Sequence, residues 1–238
     1  MNIDKLQPIV AIGNDPEKIQ MLPIEECGEQ LVEVTAEPGI FLSPQYHTKG
    51  IQSTTNQIFV REGVLQALRI AAQALPDGMN LLLWDGLRTL ETQAELFEKA
   101  KISFSTEHRD ELIELYLAAP PKSETDFRHF PPPHTTGGAI DLTLCDSTGK
   151  PLDMGAEFDE FKEIAWLAYF EDYRSICHDD RTLEYRIYRR ILYWAMMIAG
   201  FAPYPWDFWH YELGTIVAAT FHGLPVAKYG AVTPWRYP

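Results

Sequence analysis

The stretch HFPPPHTTGGAIDLTLC, residues 129–145, places a stiff arm, a permissive bend and a strand in succession. Each proline fixes its own φ and pushes the residue before it towards extended backbone, so Pro131, Pro132 and Pro133 form a rigid arm. Gly137 and Gly138 tolerate backbone angles that other residues resist, and supply the bend. Beyond them Ile140, Leu142 and Leu144 alternate with Ala139, Asp141 and Thr143, which is the period of a strand with one face on a core. Such an order holds His134 opposite Asp141.

Outward from this stretch the apolar pattern switches repeatedly between periods. The first fifty or so residues are turn-rich, with short apolar runs such as QLVEV. Val60, Val64, Leu65, Leu68 and Ala72 fit one face of a helix over residues 60–75, closed by Pro76. NLLLWDGLR reads as a buried strand. A helix follows from about Leu90, with Thr89 as its N-cap and Leu90, Ala94 and Phe97 on one face. TEHRDELIELYLAA reads as a further amphipathic helix, and EFDEFKEIAWLAYF has a helical period. RTLEYRIYRRILYWAMMIAGF gives the strongest helix, with a stripe of Leu183, Ile187, Ile191, Ala195 and Ile198 and with Gly200 at the C-terminal cap position. YPWDFWHYELG reads as strand-like. Neither a repeat nor a dinucleotide or phosphate-loop pattern is present. The expectation is an α+β fold, as a single domain over residues 1–238 with its motif-bearing core at about 60–215.

The bulk properties exclude several classes. The 238 residues carry a net charge of −14, the opposite of a nucleic-acid footprint. A hydrophobic content of 46% leaves ample material for a core. No apolar run approaches a membrane span, and MNIDKLQPIV lacks the basic-then-apolar start of a secretory signal. Cys27, Cys145 and Cys177 are too few, and odd in number, for a disulfide framework. A cytoplasmic protein, with neither nucleic acid nor membrane as partner, is expected. The oligomeric state is left open.

Chemistry-bearing residues concentrate in three stretches: LLLWDGLRT, HTTGGAID and WDFWHYE. A catalytic zinc takes three ligands drawn from His and carboxylates and leaves a position open. His134, Asp141 and His210 supply such a set. Asp207 lies three residues before His210, where a carboxylate can act on water without ligating the metal. Arg88, between a buried strand and a helix, can stabilise an oxyanion. Glu212, at the spacing His210-x-Glu212, could substitute for a ligand or base; with the set above in those roles, Glu212→Gln is expected to be mild. His47, His108, His129, His178 and His222 are read as ordinary loop or surface residues, and the acidic CHDD at 177–180 as a solvated loop. Trp206, Phe208 and Trp209 are read as packing around the site.

The pattern His-x-x-Gly-x-Ala-x-Asp at His134, Gly137, Ala139 and Asp141 resembles that of the M15 zinc peptidases. WDGLR ahead of a helix, and AGFAPYPWDFWHYELG at residues 199–214, resemble specifically their D-alanyl-D-alanine dipeptidase branch, the vancomycin-resistance zinc dipeptidases. The three blocks occur in order over residues 81–214. The resemblance implies one zinc per chain on His134, Asp141 and His210, a catalytic carboxylate at Asp207 and a transition-state arginine at Arg88. It also implies a hedgehog/DD-peptidase-like fold, a central antiparallel sheet flanked by helices, and a dipeptidase acting on D-alanyl-D-alanine or a similar small dipeptide. Three positions depart from the family pattern: Asp207 stands for the usual glutamate, Pro132 for a serine and Thr89 for a proline. Two alternatives follow from the same resemblance. One is an M15-type cell-wall peptide endopeptidase or carboxypeptidase, which the lack of a wall-binding module disfavours. The other is a non-catalytic zinc-containing binding protein, which needs neither Asp207 nor Arg88.

Overall fold

The strand that follows the proline arm runs from Ala139 to Cys145, and all seven of its residues are buried. The structure is a computed structural model that describes residues 6–9, 21–171 and 180–232. In chain order its strands are β1 (Leu31–Val34), β2 (Ile40–Leu42), β3 (Ile58–Arg61), β4 (Asn80–Asp85), β5 (Ala139–Cys145), β6 (Ala202–Pro203) and β7 (His210–Glu212). The helices are α1 (Gln45–Thr48), α2 (Glu62–Ala74), α3 (Leu90–Thr106), α4 (Ile113–Tyr116), α5 (Glu124–His129), α6 (Asp180–Ile198) and α7 (Ile216–Phe221). Strand β5 is the middle of a five-stranded sheet ordered β2-β4-β5-β7-β6. Its neighbours β4 and β7 are both antiparallel to it, and β6 is antiparallel to β7. Only the edge strand β2 runs parallel to its partner, β4. The α+β architecture with a central, mainly antiparallel sheet is therefore present. Strands β1 and β3 pair in a separate two-stranded sheet.

Both faces of β5 are buried, although only one of them is wholly apolar. Ile140, Leu142 and Leu144 belong to the hydrophobic core that also takes in Leu68 of α2 and Ile191 of α6. Asp141 and Thr143 look the other way and are buried as well. Among the described residues no helix is long and apolar enough to cross a membrane. Cys27 and Cys145 are free thiols, the first exposed and the second buried.

Several elements differ from their sequence pattern, each for a local reason. The helix expected from Val60 begins at Glu62, because Ile58–Arg61 pairs with β1 as a strand. The helix expected over residues 106–119 is broken after α3, where His108 adopts a left-handed φ of 57°. A 3-10 turn and the short α4 follow. Residues 157–170 form only two 3-10 turns, Glu163–Ala165 and Tyr169–Glu171. The guanidinium of Arg189 donates to the carbonyls of Met154, just ahead of this stretch, and of Ile164 and Trp166 within it; Trp166 also accepts the Tyr169 N–H, so only a 3-10 turn forms there. The same buried arginine rotates α6: Arg189, Leu192 and Met196 face inwards, while Ile187 and Ile198 of the expected stripe are 38% and 59% exposed. The buried stripe of α3 is likewise rotated, to Leu96, Ala100 and Phe104, and Ala94 and Phe97 lie at its margin. Thr89 caps α3 as expected, accepting from the Thr92 N–H. The strand-like C-terminal stretch is shorter than its pattern, with extended pairing confined to β6 and to His210–Glu212.

Candidate metal and active site

The proline arm ends in a 3-10 turn, Pro133–Thr136, with His134 inside it. Thr135 and Thr136 fold their hydroxyls back onto the carbonyls of Pro132 and Pro133. Gly137 then turns the chain with φ of 72°, a conformation costly for residues with a Cβ. A Cβ on Gly138 would sit 2.6 Å from the Leu213 carbonyl, so that position also admits no side chain without movement. Arg61 clamps this turn from outside: its backbone N–H donates to the Gly137 carbonyl, and its Nε to the Thr136 carbonyl at 2.9 Å. The remaining guanidinium nitrogens of Arg61 bind the Glu29 carbonyl, the Glu26 carboxylate and the Gly230 carbonyl.

Within this frame the His134 ring is fixed by its Nδ1–H, which donates to the Gly86 carbonyl at 2.7 Å. A carbonyl only accepts, so Nδ1 carries the proton and Nε2 offers a lone pair. Sheet register does the rest. Asp85 of β4, Asp141 of β5 and His210 of β7 are directly abreast on three adjacent strands. His134 Nε2 lies 3.2 Å from His210 Nδ1 and 3.3 Å from Asp141 Oδ1, and His210 Nδ1 is 2.9 Å from that same oxygen. The outer nitrogen of His210, Nε2, is 3.1 Å from Glu212 Oε1. Glu212 also accepts from the Thr215 hydroxyl.

Arg88 is buried and ties the carboxylates together, with Nε 2.5 Å from Asp85 and a terminal nitrogen 2.6 Å from Asp141 Oδ2. Against the cost of burial, the His134 ring and the Arg88 guanidinium hold the Asp141 carboxyl well below the usual carboxylate range. Burial pushes Asp85 up, with Arg88 and His134 opposing. Burial alone would depress His210, but its hydrogen bonds to Asp141 and Glu212 outweigh this and raise it to about 10. Asp207 is 5% exposed, and its Oδ1 has no hydrogen-bond partner among the described residues. Burial drives its pKa well up.

All five residues singled out in the sequence, His134, Asp141, His210, Asp207 and Arg88, line one cleft of about 530 Å³. Phe208 is buried packing, whereas the buried Trp209 and the half-buried Trp206 both form part of the cleft wall. Of the histidines set aside, none of the described ones lines the cleft; His178 lies outside the described residues, with most of the 177–180 stretch. Three contributors escaped the sequence pattern. Asp85 shares a motif with Arg88, but its place abreast of Asp141 depends on register. Tyr46 reaches Arg88 and donates its hydroxyl to Asp159 at 3.0 Å. Asp159 itself lines the cleft from a loop position with φ of 66°, and Lys49 pairs with it at 3.0 Å. Its carboxyl is raised by burial despite that lysine. Nothing in the local sequence signals that backbone conformation.

The donor set fits a tetrahedral metal ion. Zinc bound at ~2.0–2.1 Å spaces its ligands about 3.3–3.4 Å apart, close to the separations between His134, Asp141 and His210. Two imidazole nitrogens and a carboxylate oxygen converge there, three lone-pair donors that a cation or shared protons must hold together.

Residues 46–225 match the peptidase M15 family, described as D-Ala-D-Ala dipeptidase. The chain belongs to that family. This M15 peptidase is similar to three proteins named D-alanyl-D-alanine dipeptidase. The protein from Synechocystis sp. is 28% identical over 213 residues, 81% of this chain and 85% of the relative. The one from Enterococcus faecalis is 32% identical over 174 residues, 66% of this chain and 74% of the relative. An Escherichia coli protein is 39% identical over 80 residues, 34% of this chain and 37% of the relative. Family membership makes the chain a hydrolase of the peptidase class.

Proposed function

We propose that this M15 peptidase is a zinc-dependent dipeptidase that hydrolyses D-alanyl-D-alanine or a similar small dipeptide with a free amine, and that it acts in the cytoplasm with one zinc per chain. The observation that carries the reading is the triangle of His134 Nε2, Asp141 Oδ1 and His210 Nδ1 in the same cleft as the unpartnered carboxylate of Asp207. His134, Asp141 and His210 would hold the metal. Zinc supplies Lewis acidity, polarising a peptide carbonyl and making water a competent nucleophile near neutral pH.

The chain's own residues do the remainder. Asp207 removes a proton from the attacking water and returns it to the leaving amine; its free oxygen is the only acceptor among the cleft's buried carboxylates without a partner among the described residues. Asp207 and His210 share one turn, in which the His210 N–H donates to the Asp207 carbonyl. Arg88 fixes Asp141 and presents positive charge to the oxygen that becomes anionic. Asp159, recessed in the cleft and backed by Tyr46, takes the substrate ammonium.

The test is a panel of D,D-, L,D- and L,L-dipeptides given to metal-loaded protein and to Asp207→Asn. Wild type is expected to cleave the D,D-dipeptide, and Asp207→Asn to lose roughly 10²–10⁴-fold in kcat with its metal content intact. Cleavage of cross-linked wall fragments with dipeptides untouched would move the chain to the endopeptidase class. Full metal with turnover of no substrate would make it a binding protein.

A further inference from the structure

The cleft is larger and more aromatic than two alanines require. At about 530 Å³ it falls in the range of drug-sized ligand pockets, ~300–1,000 Å³. Its wall carries two groups of touching rings, one on His210 and one around Trp166 and Tyr116. Tyr204 packs edge-on to the His210 ring with centroids 5.5 Å apart, and its hydroxyl donates to the Leu115 carbonyl at 2.8 Å. Trp206 packs on Trp166 at 4.8 Å, and the Trp166 Nε1–H donates to the Tyr116 hydroxyl at 3.0 Å. Tyr116 in turn contacts the Phe161 ring at 5.6 Å. Tyr116, Phe161, Tyr204 and Trp206 all line the cleft, so their apolar faces are fixed before any ligand arrives.

Sheet order decides which end of a substrate meets this wall. Arg88 follows β4, and Asp159 is tied to that side through Tyr46. Tyr204 follows β6, on the far side of β7 and His210. A dipeptide with its ammonium at Asp159 and its carbonyl over the His134–Asp141–His210 triangle therefore directs its second residue towards Tyr204 and Trp206. Charge does not select there: Arg88, the only Lys or Arg among the described residues lining the cleft, follows β4 on the other side of β5 and β7.

We propose that the Tyr204–Trp206–Tyr116 wall is a subsite for a bulky apolar side chain on the leaving residue, so that the preferred substrate is a dipeptide with an aromatic or large aliphatic second residue rather than D-alanyl-D-alanine. This rests on the dipeptidase reading and narrows it. Alanine leaves the wall wet, whereas an aromatic ring removes apolar surface from water on both sides of the contact.

The experiment compares kcat/KM for D-Ala-D-Ala, D-Ala-D-Phe and D-Phe-D-Ala on the metal-loaded enzyme. D-Ala-D-Phe is expected to exceed D-Ala-D-Ala by about tenfold or more, mainly through KM, and D-Phe-D-Ala to show no such gain. Trp206→Leu is expected to lower the D-Ala-D-Phe to D-Ala-D-Ala ratio at least about fivefold, a comparison in which each variant is its own control for folding. D-Ala-D-Ala cleaved as well as or better than D-Ala-D-Phe overturns the subsite and leaves the dipeptidase reading standing. Cleavage of none of the three removes both.

Discussion

His210 has two ring nitrogens, and the fold gives each its own carboxylate: Asp141 faces Nδ1 and Glu212 faces Nε2. Glu212 is itself pinned by the Thr215 hydroxyl, so the ring cannot flip without losing a buried contact. We propose that Glu212 positions the ring, which makes the expected mildness of Glu212→Gln a direct test. Outer partners of a ligating histidine typically contribute ~10–100-fold in metal affinity. Glu212→Ala is expected to weaken zinc binding within that range, measured by competition with a chromophoric chelator. Glu212→Gln keeps an acceptor oxygen and is expected to fall between. A Glu212→Ala protein that binds zinc as tightly as wild type would remove the role. The five residues singled out at the start were readable because short motifs carry them: a proline arm sets His134 and Asp141 seven positions apart, and an aspartate and a histidine share one turn. The spacing His210-x-Glu212 was readable too, but not which nitrogen of His210 Glu212 would face, and Asp159 was not readable because it depends on a left-handed backbone that no motif announces.

Elements were legible where one physical cause dominated. Strand β5 and the start of α3 follow from alternation and from a threonine cap. The region over residues 157–170 was misread because its apolar period is helical while Arg189, from a distant helix, binds the carbonyls of Ile164 and Trp166 within it. A second long-range tie of this kind comes from Glu95 on α3. Its carboxylate accepts from the backbone N–H groups of Gln52 and Ser53 and from the Ser53 hydroxyl, holding the loop that leads into β3. The Ser53 hydroxyl, ahead of a small opposing cost of burial, leads the contacts that lower its pKa to about 2. A depressed carboxylate stabilises the fold above its ordinary value of 4.5 and loses that contribution as pH falls through about 2. Glu95→Gln is therefore expected to lower Tm at neutral pH and to shrink the gap from wild type as pH drops from about 4.5 towards 2. Thermal melts across that window check it; a gap that stays constant with pH would show that the charge is irrelevant.

At the scale of the molecule, the candidate ligands come from a turn and two strands that meet only when the sheet is assembled. Metal bound there is bound by the folded chain and not by the unfolded one, so it adds to stability by mass action, about 2.7 kcal/mol at a hundredfold excess over Kd. Stripping the protein with a strong chelator is expected to lower Tm, and stoichiometric zinc to restore it. In the stripped protein the raised His210 takes over: its protonated ring stabilises the fold fully below 6.5 and ceases to do so as pH rises through about 10. The Tm difference between loaded and stripped protein should widen over that interval. Identical melting with and without zinc across it would show that no metal belongs in this triangle.

The Arg61 clamp reaches further than the turn it holds. One guanidinium grips Glu26 and Glu29 from the segment ahead of β1, Thr136 beside a candidate ligand, and Gly230 past α7, while the Val232 N–H docks on the Thr135 carbonyl. Segments some two hundred residues apart thus share a knot directly behind His134. For anyone fusing a partner, inserting a cleavage site or grafting a linker at these stretches, the positions that look peripheral along the chain are tied mechanically to the turn that carries His134.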